Sequence, residues 1–91
     1  TVDEELWRHG WVGNMAIHKQ VFEDLGGFDE RFNGGKGFAD LDFARRAHLA
    51  GYSMILNRTA IAVHPSDHTS SHRSEAVERN RKKYLQKWNR L

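Results

Sequence analysis

The chain has 91 residues, 38% of them hydrophobic and 29% charged, with a single proline, a composition that suits one globular unit and excludes a disordered tail. With no cysteine there is no thiolate metal site and no thiol nucleophile. No apolar run approaches the roughly 18 residues of a membrane span, and the acidic opening lacks the features of a signal peptide, so the chain reads as soluble and cytoplasmic. The net charge of +2 is segregated: residues 74–91 hold six basic and two acidic side chains, leaving residues 1–73 net acidic, which argues against a nucleic-acid protein with a broad positive face.

In chain order, residues 11–17 read as a short strand. Residues 18–32 then read as a short helix carrying Val21, Phe22 and Leu25, stopped by Gly26 and Gly27, with Phe28 and Phe32 anchoring the next loop. The run 33–38 holds three glycines and is expected to be a mobile loop delivering the chain to Asp40. From Ala39 to Ala50 the pattern is helical, because Phe43, Ala44, Ala47 and Ala50 share one face and Gly51 sits where a left-handed cap is expected. Residues 52–56 and 60–64 read as two short strands joined by a turn. A polar loop over 65–74 leads into an amphipathic helix at about 75–90. Its stripe is Val77, Tyr84, Trp88 and Leu91, and Glu75/Arg79 and Glu78/Lys82 are spaced as i,i+4 pairs. The expected fold class is therefore α/β, with a few short strands and about three helices in one unit spanning 1–91.

Asp40 stands at the start of a helix, where unpaired N–H groups stabilise a carboxylate. It is either a helix-terminal acid or, presented by the glycine loop and ionised at neutral pH, a general base for a hydroxyl. Asp42 lies three and four residues before Arg45 and Arg46 and suits an ion pair with one of them. His64, His68 and His72 recur every fourth residue, but Pro65 and the Ser/Thr-rich composition break the helix that a three-histidine metal site would need. His64 differs in closing an expected strand, which can hold a side chain rigidly. The glycines at 34, 35 and 37 match no phosphate-binding fingerprint. Trp7, Trp11 and Trp88 read as core or interface residues, with sugar stacking as the alternative. The basic run in helix 75–90 reads as a solvated face that could also touch phosphates or anionic lipid at the inner membrane face.

Taken in order, Gly-Asn-Met-Ala-Ile at 13–17, Val-Phe-Glu-Asp-Leu-Gly-Gly-Phe-Asp-Glu-Arg-Phe at 21–32, Ala-Asp-Leu-Asp-Phe-Ala-Arg-Arg at 39–46, Ala-Gly-Tyr at 50–52 and Val-His at 63–64 resemble the C-terminal half of family-2 glycosyltransferases. Those GT-A-type enzymes take a sugar from a nucleotide donor, and the resemblance spans about residues 11–88. It implies that Asp40 is the base deprotonating the acceptor hydroxyl in an inverting transfer, that Asp42 and Arg46 hold loop and helix together, and that Gly13 and Asn14 line the donor and acceptor pocket. His64 would ligate a Mg²⁺ or Mn²⁺ ion beside the donor diphosphate. The implied partners are a nucleotide-sugar donor and a saccharide or lipid-linked acceptor. Two departures are visible. Ala39 stands where the family usually has Glu, and nothing resembles the family's N-terminal, nucleotide-binding half. A half-domain of this kind is expected to be inactive alone and to self-associate. Two other classes stay open: a non-catalytic dimeric assembly module, and a small nucleic-acid binder using helix 75–90.

Overall fold

The computed structural model describes residues 6–9, 15–55, 57, 59–61, 63 and 72–89. Three α-helices dominate them: α1 (Lys19–Asp24), α2 (Ala39–Leu49) and α3 (His72–Trp88), with short 3₁₀ turns at Leu6–His9 and Glu30–Phe32. The expected α/β class is thereby corrected: the described residues are mostly helical and form no sheet. Residues 15–17 are not a strand, and 52–55 show only an isolated bridge at Ile55. The physical reason is that a two-stranded unit is marginal by itself and needs a third strand or a covering face. Among the described residues Met15, Ile17 and Met54 are only partly covered. Ile55, Ile61 and Val63 are 71%, 83% and 89% exposed, so their alternation has no apolar layer to point into.

Both short helices end by the same device. After α1, the Gly26 N–H reaches the Glu23 carbonyl and the Gly27 N–H reaches Phe22. After α2, Gly51 bonds to His48 and Tyr52 to Ala47. These are paired 5→2 and 6→1 closures, which require a left-handed residue at the first position past the cap. Gly26 (φ +80°) and Gly51 (φ +94°) supply it.

The core is small and largely aromatic. Phe32, Phe43, Ala44, Ala47 and Tyr84 are buried. Phe43 stacks obliquely on Phe22 at 5.3 Å between centroids and meets Phe28 edge-on at 5.7 Å, while Phe22 and Phe28 are edge-on at 5.2 Å. These are favourable aromatic geometries, and they fix α1 and the loop after it against α2. On its other side α2 presents Arg45. The guanidinium lies 4.4 Å from the Trp88 ring centroid, 4.9 Å from Trp7 and 5.8 Å from Tyr84, and donates to the Tyr84 hydroxyl at 3.1 Å. A planar cation between aromatic faces joins the N-terminal turn, α2 and α3 at one point.

The loop 33–38, expected to be mobile, is instead tied to α3. The Lys36 N–H bonds to the Ala76 carbonyl at 3.0 Å. The buried Asn80 amide donates to the carbonyls of Phe32 (2.9 Å) and Gly37 (2.7 Å). The loop ends on Phe38, which is left-handed (φ +71°) although it is not glycine. A phenylalanine there costs roughly 1–2 kcal/mol, and its ring lies 5.4 Å from that of Tyr84.

One comparison isolates that backbone cost. Phe38→Gly and Phe38→Ala both lose the ring, but only alanine retains the left-handed penalty. We therefore expect the glycine variant to be the more stable by about 1 kcal/mol in equilibrium denaturation, against glycine's usual disadvantage. The reverse order would mean that Phe38 is not left-handed in solution.

Candidate functional site

Asp40 and Asp42 lie on α2 two residues apart, about 200° around the axis, and the fold gives them different surroundings. Asp42 is completely buried. Its Oδ2 accepts from Arg46 Nε at 3.0 Å, and its Oδ1 accepts from Trp88 Nε1 at 3.0 Å and pairs with Lys87 Nζ at 2.7 Å. The pair with Arg46 is the i,i+4 partnership that the spacing allowed; Arg45 is committed to the aromatic stack. The two terminal nitrogens of Arg46 donate to the Leu25 carbonyl (2.8 Å) and the Gly27 carbonyl (2.7 Å). One guanidinium thus joins the end of α1 to the middle of α2.

Lys87 also donates to Asp29 Oδ2 at 2.9 Å, so one ammonium bridges two carboxylates from different segments. Asp29 is held further by Arg31, which donates through Nε and Nη2 and through its backbone N–H. The Arg31 side chain, then its backbone N–H and Lys87, keep the Asp29 carboxyl well below the ordinary carboxylate range, although burial opposes them. Two carboxylates therefore meet three cations in this network.

Asp40 is only half-buried, second in the helix, with its Oδ1 accepting from the Leu41 N–H at 2.9 Å. The helix N-cap, Phe38, offers no side-chain cap, so Asp40 serves a helix-start donor itself. It combines a helix-terminal position with partial access to solvent. A recess lined by Glu75, Glu78, Arg79 and Lys82 lies on α3 and includes neither aspartate.

Of the other expected site residues, Gly13, Asn14 and His64 lie outside the described residues, as does His68. Among the described residues no group of three or more His, Asp or Glu could hold a metal ion, so no chemical step is assigned to Mg²⁺ or Mn²⁺. No described helix is long and apolar enough to cross a membrane. On α3, Glu78 pairs with Arg81 at 2.8 Å rather than with Lys82, and Arg79 reaches the Gly34 carbonyl at 3.4 Å rather than Glu75. Four contributors escaped the sequence reading: Phe38, Asn80, Lys87 and Trp88 as an N–H donor. Only Asn80 left a legible mark. It sits three residues after Val77 and four before Tyr84, a polar residue on the apolar stripe.

Comparison of the chain with protein-family models, characterised proteins and solved structures gave no match.

The buried network generates two expected outcomes. Asp42→Asn leaves Arg46 and Lys87, about four-fifths buried, without their shared anion, and removing one partner of a buried pair costs roughly 3–5 kcal/mol. That approaches the whole stability of a small domain, so urea denaturation should find the variant largely unfolded or close to it. The second concerns acid. Asp29 has a depressed folded-state pKa, so its contribution is complete above the unfolded value near 4 and is lost as pH falls from there through the folded value. The native chain should lose stability steeply below pH 4. Asp29→Asn should flatten that slope while lowering stability at pH 7, as read by melting temperature against pH.

Proposed function

We propose that this chain is the acceptor-side segment of a family-2 glycosyltransferase, with Asp40 as the general base. The observation that carries this reading is the division of labour between the two aspartates. Asp42 and Arg46 are used up in holding α2 to α1 and α3. Asp40, presented by a glycine loop at a helix start, is only partly buried and accepts from the Leu41 N–H. That division supports the roles the resemblance attaches to these positions, and it would be unexpected if both residues served only the helix.

In the transfer, Asp40 would take the proton of an acceptor hydroxyl as its oxygen attacks the anomeric carbon of the donor sugar. The bond to the nucleoside diphosphate breaks on the opposite face, giving inversion. The acceptor class is a saccharide or a lipid-linked saccharide. The donor site would lie in a nucleotide-sugar-binding half joined to these residues.

A second reading, a non-catalytic dimeric assembly module, is favoured by one observation. Leu49, Ile55, Ile61 and Val63 are all more than 60% exposed, four large apolar side chains within fifteen positions that a second copy could cover.

Two measurements test these readings. In a protein joining these residues to a nucleotide-sugar-binding half, Asp40→Asn preserves size and much of the capping ability but not proton acceptance. Turnover should fall by about 10²–10⁴ with little change in melting; near-normal turnover would sink the assignment. For the assembly reading, sedimentation of the 91-residue chain at micromolar concentration should show a mass that rises with concentration. A monomer throughout that range would remove it.

A further inference from the structure

Two local costs coincide where α3 meets the glycine loop. Asn80 is 1% exposed, and its Oδ1 is buried with no hydrogen-bond partner among the described residues. Phe38, one residue beyond the Gly37 carbonyl that Asn80 binds, is left-handed. Orphaned acceptors and strained backbone persist only where the surroundings over-determine them. The surroundings here do so. Gly35 packs so closely that an added Cβ would lie 2.6 Å from Asn80 Cγ and 2.9 Å from the Ala76 carbonyl. Lys36 bonds to that same carbonyl, while Arg79 and Lys83 reach the carbonyls of Gly34 and Asn33 at 3.4 Å.

We propose that Asn80 is a positioning residue for Asp40, acting by withholding the Gly37 carbonyl from α2. This rests on the reading of Asp40 as the base. The first backbone bond of α2 runs from the Asp42 N–H to the Phe38 carbonyl at 2.8 Å. Extending the helix backward by one residue would pair the Leu41 N–H with the Gly37 carbonyl, four residues earlier. That carbonyl is occupied by Asn80 Nδ2, and the Leu41 N–H is left to Asp40 Oδ1. The Gly37 carbonyl and the Phe38 nitrogen also share one peptide plane, so the bond from Asn80 fixes the plane from which the left-handed Phe38 departs. Freed from Asn80, Phe38 can relax to the right-handed region and α2 can grow toward its N-terminus. Asp40 then sits deeper in the helix and loses its N–H partner. Asn80 therefore sets both where α2 begins and how the Asp40 carboxylate is aimed.

The test breaks the latch from its two sides, with Asn80→Leu on α3 and Gly35→Ala on the loop, in the 91-residue chain monitored by NMR. Both variants should speed exchange of the Lys36 amide at least tenfold. They should also move the Phe38 HN–Hα coupling from its left-handed to its right-handed value and shift the Leu41 amide as it passes from Asp40 to Gly37. The double variant should change these no further, since both substitutions release one contact. Folded variants with unchanged Phe38 and Leu41 signals would overturn the proposal. Asn80→Ser, which leaves a smaller and more polar side chain, replaces Asn80→Leu if that variant does not fold. Should neither Asn80 variant nor Gly35→Ala fold, Asn80 serves the core rather than Asp40, and the proposal fails. In the joined protein, Asn80→Leu should lower kcat at least tenfold with KM within about threefold of the parent; normal kcat would also overturn it. If Asp40→Asn leaves turnover intact, the base assignment has failed instead, and the Phe38 and Leu41 signals still decide whether Asn80 sets the start of α2.

Discussion

A buried carboxylate must have every lone pair answered, and the described core is arranged around meeting that demand for Asp42. Arg46, Lys87 and Trp88 converge on its two oxygens. Each belongs to a segment that has other obligations. Arg46 also reaches the loop after α1, Lys87 also reaches Asp29, and Trp88 lies under Arg45. Satisfying one anion thus registers the α1 end, the 29–31 turn, α2 and α3 relative to one another. In a chain this small the apolar core alone is thin, and directional contacts of this kind specify one arrangement among the many that would bury the same phenylalanines.

The same arrangement explains why two aspartates with nearly identical sequence surroundings differ. The angular separation on the helix sends Asp42 inward, to the face shared by α3, and leaves Asp40 at the rim. The inward residue becomes structural because desolvation forces it to be paired. The outward one keeps partial hydration and a backbone donor. The loop in front of α2 is held open by Asn80, so Asp40 is placed by α3 as much as by its own helix.

The segment after α2 tells the opposite story. Its Schellman-type end turns the chain away from the helix, and beyond it Ile55, Ile61 and Val63 meet no complementary layer among the described residues. Asn57 organises a local turn by accepting from the Thr59 N–H and hydroxyl at 3.0 and 2.7 Å. Local turn chemistry is therefore present without the sheet it was expected to serve. Periodicity reports what a segment could bury, and burial needs a second surface.

What the sequence determined by itself is local. The bounds of α2 were legible to within a residue, because alanine-rich spacing and Gly51 depend only on neighbours along the chain. The stop after α1 at Gly26 was legible for the same reason, and so was the Asp42–Arg46 spacing. The length of α3 was read within three residues at either end. What only the tertiary structure decided was every relation across sequence distance. Lys87 answers two aspartates 58 and 45 positions away, Asn80 captures the Gly37 carbonyl 43 positions back, and Arg45 lodges between Trp7 and Trp88. Neither the strained Phe38 nor the absence of a sheet among the described residues could be read from local pattern. The first is imposed by a helix docking from the far end of the chain. The second reflects that a strand becomes a strand only when a neighbour takes its backbone bonds.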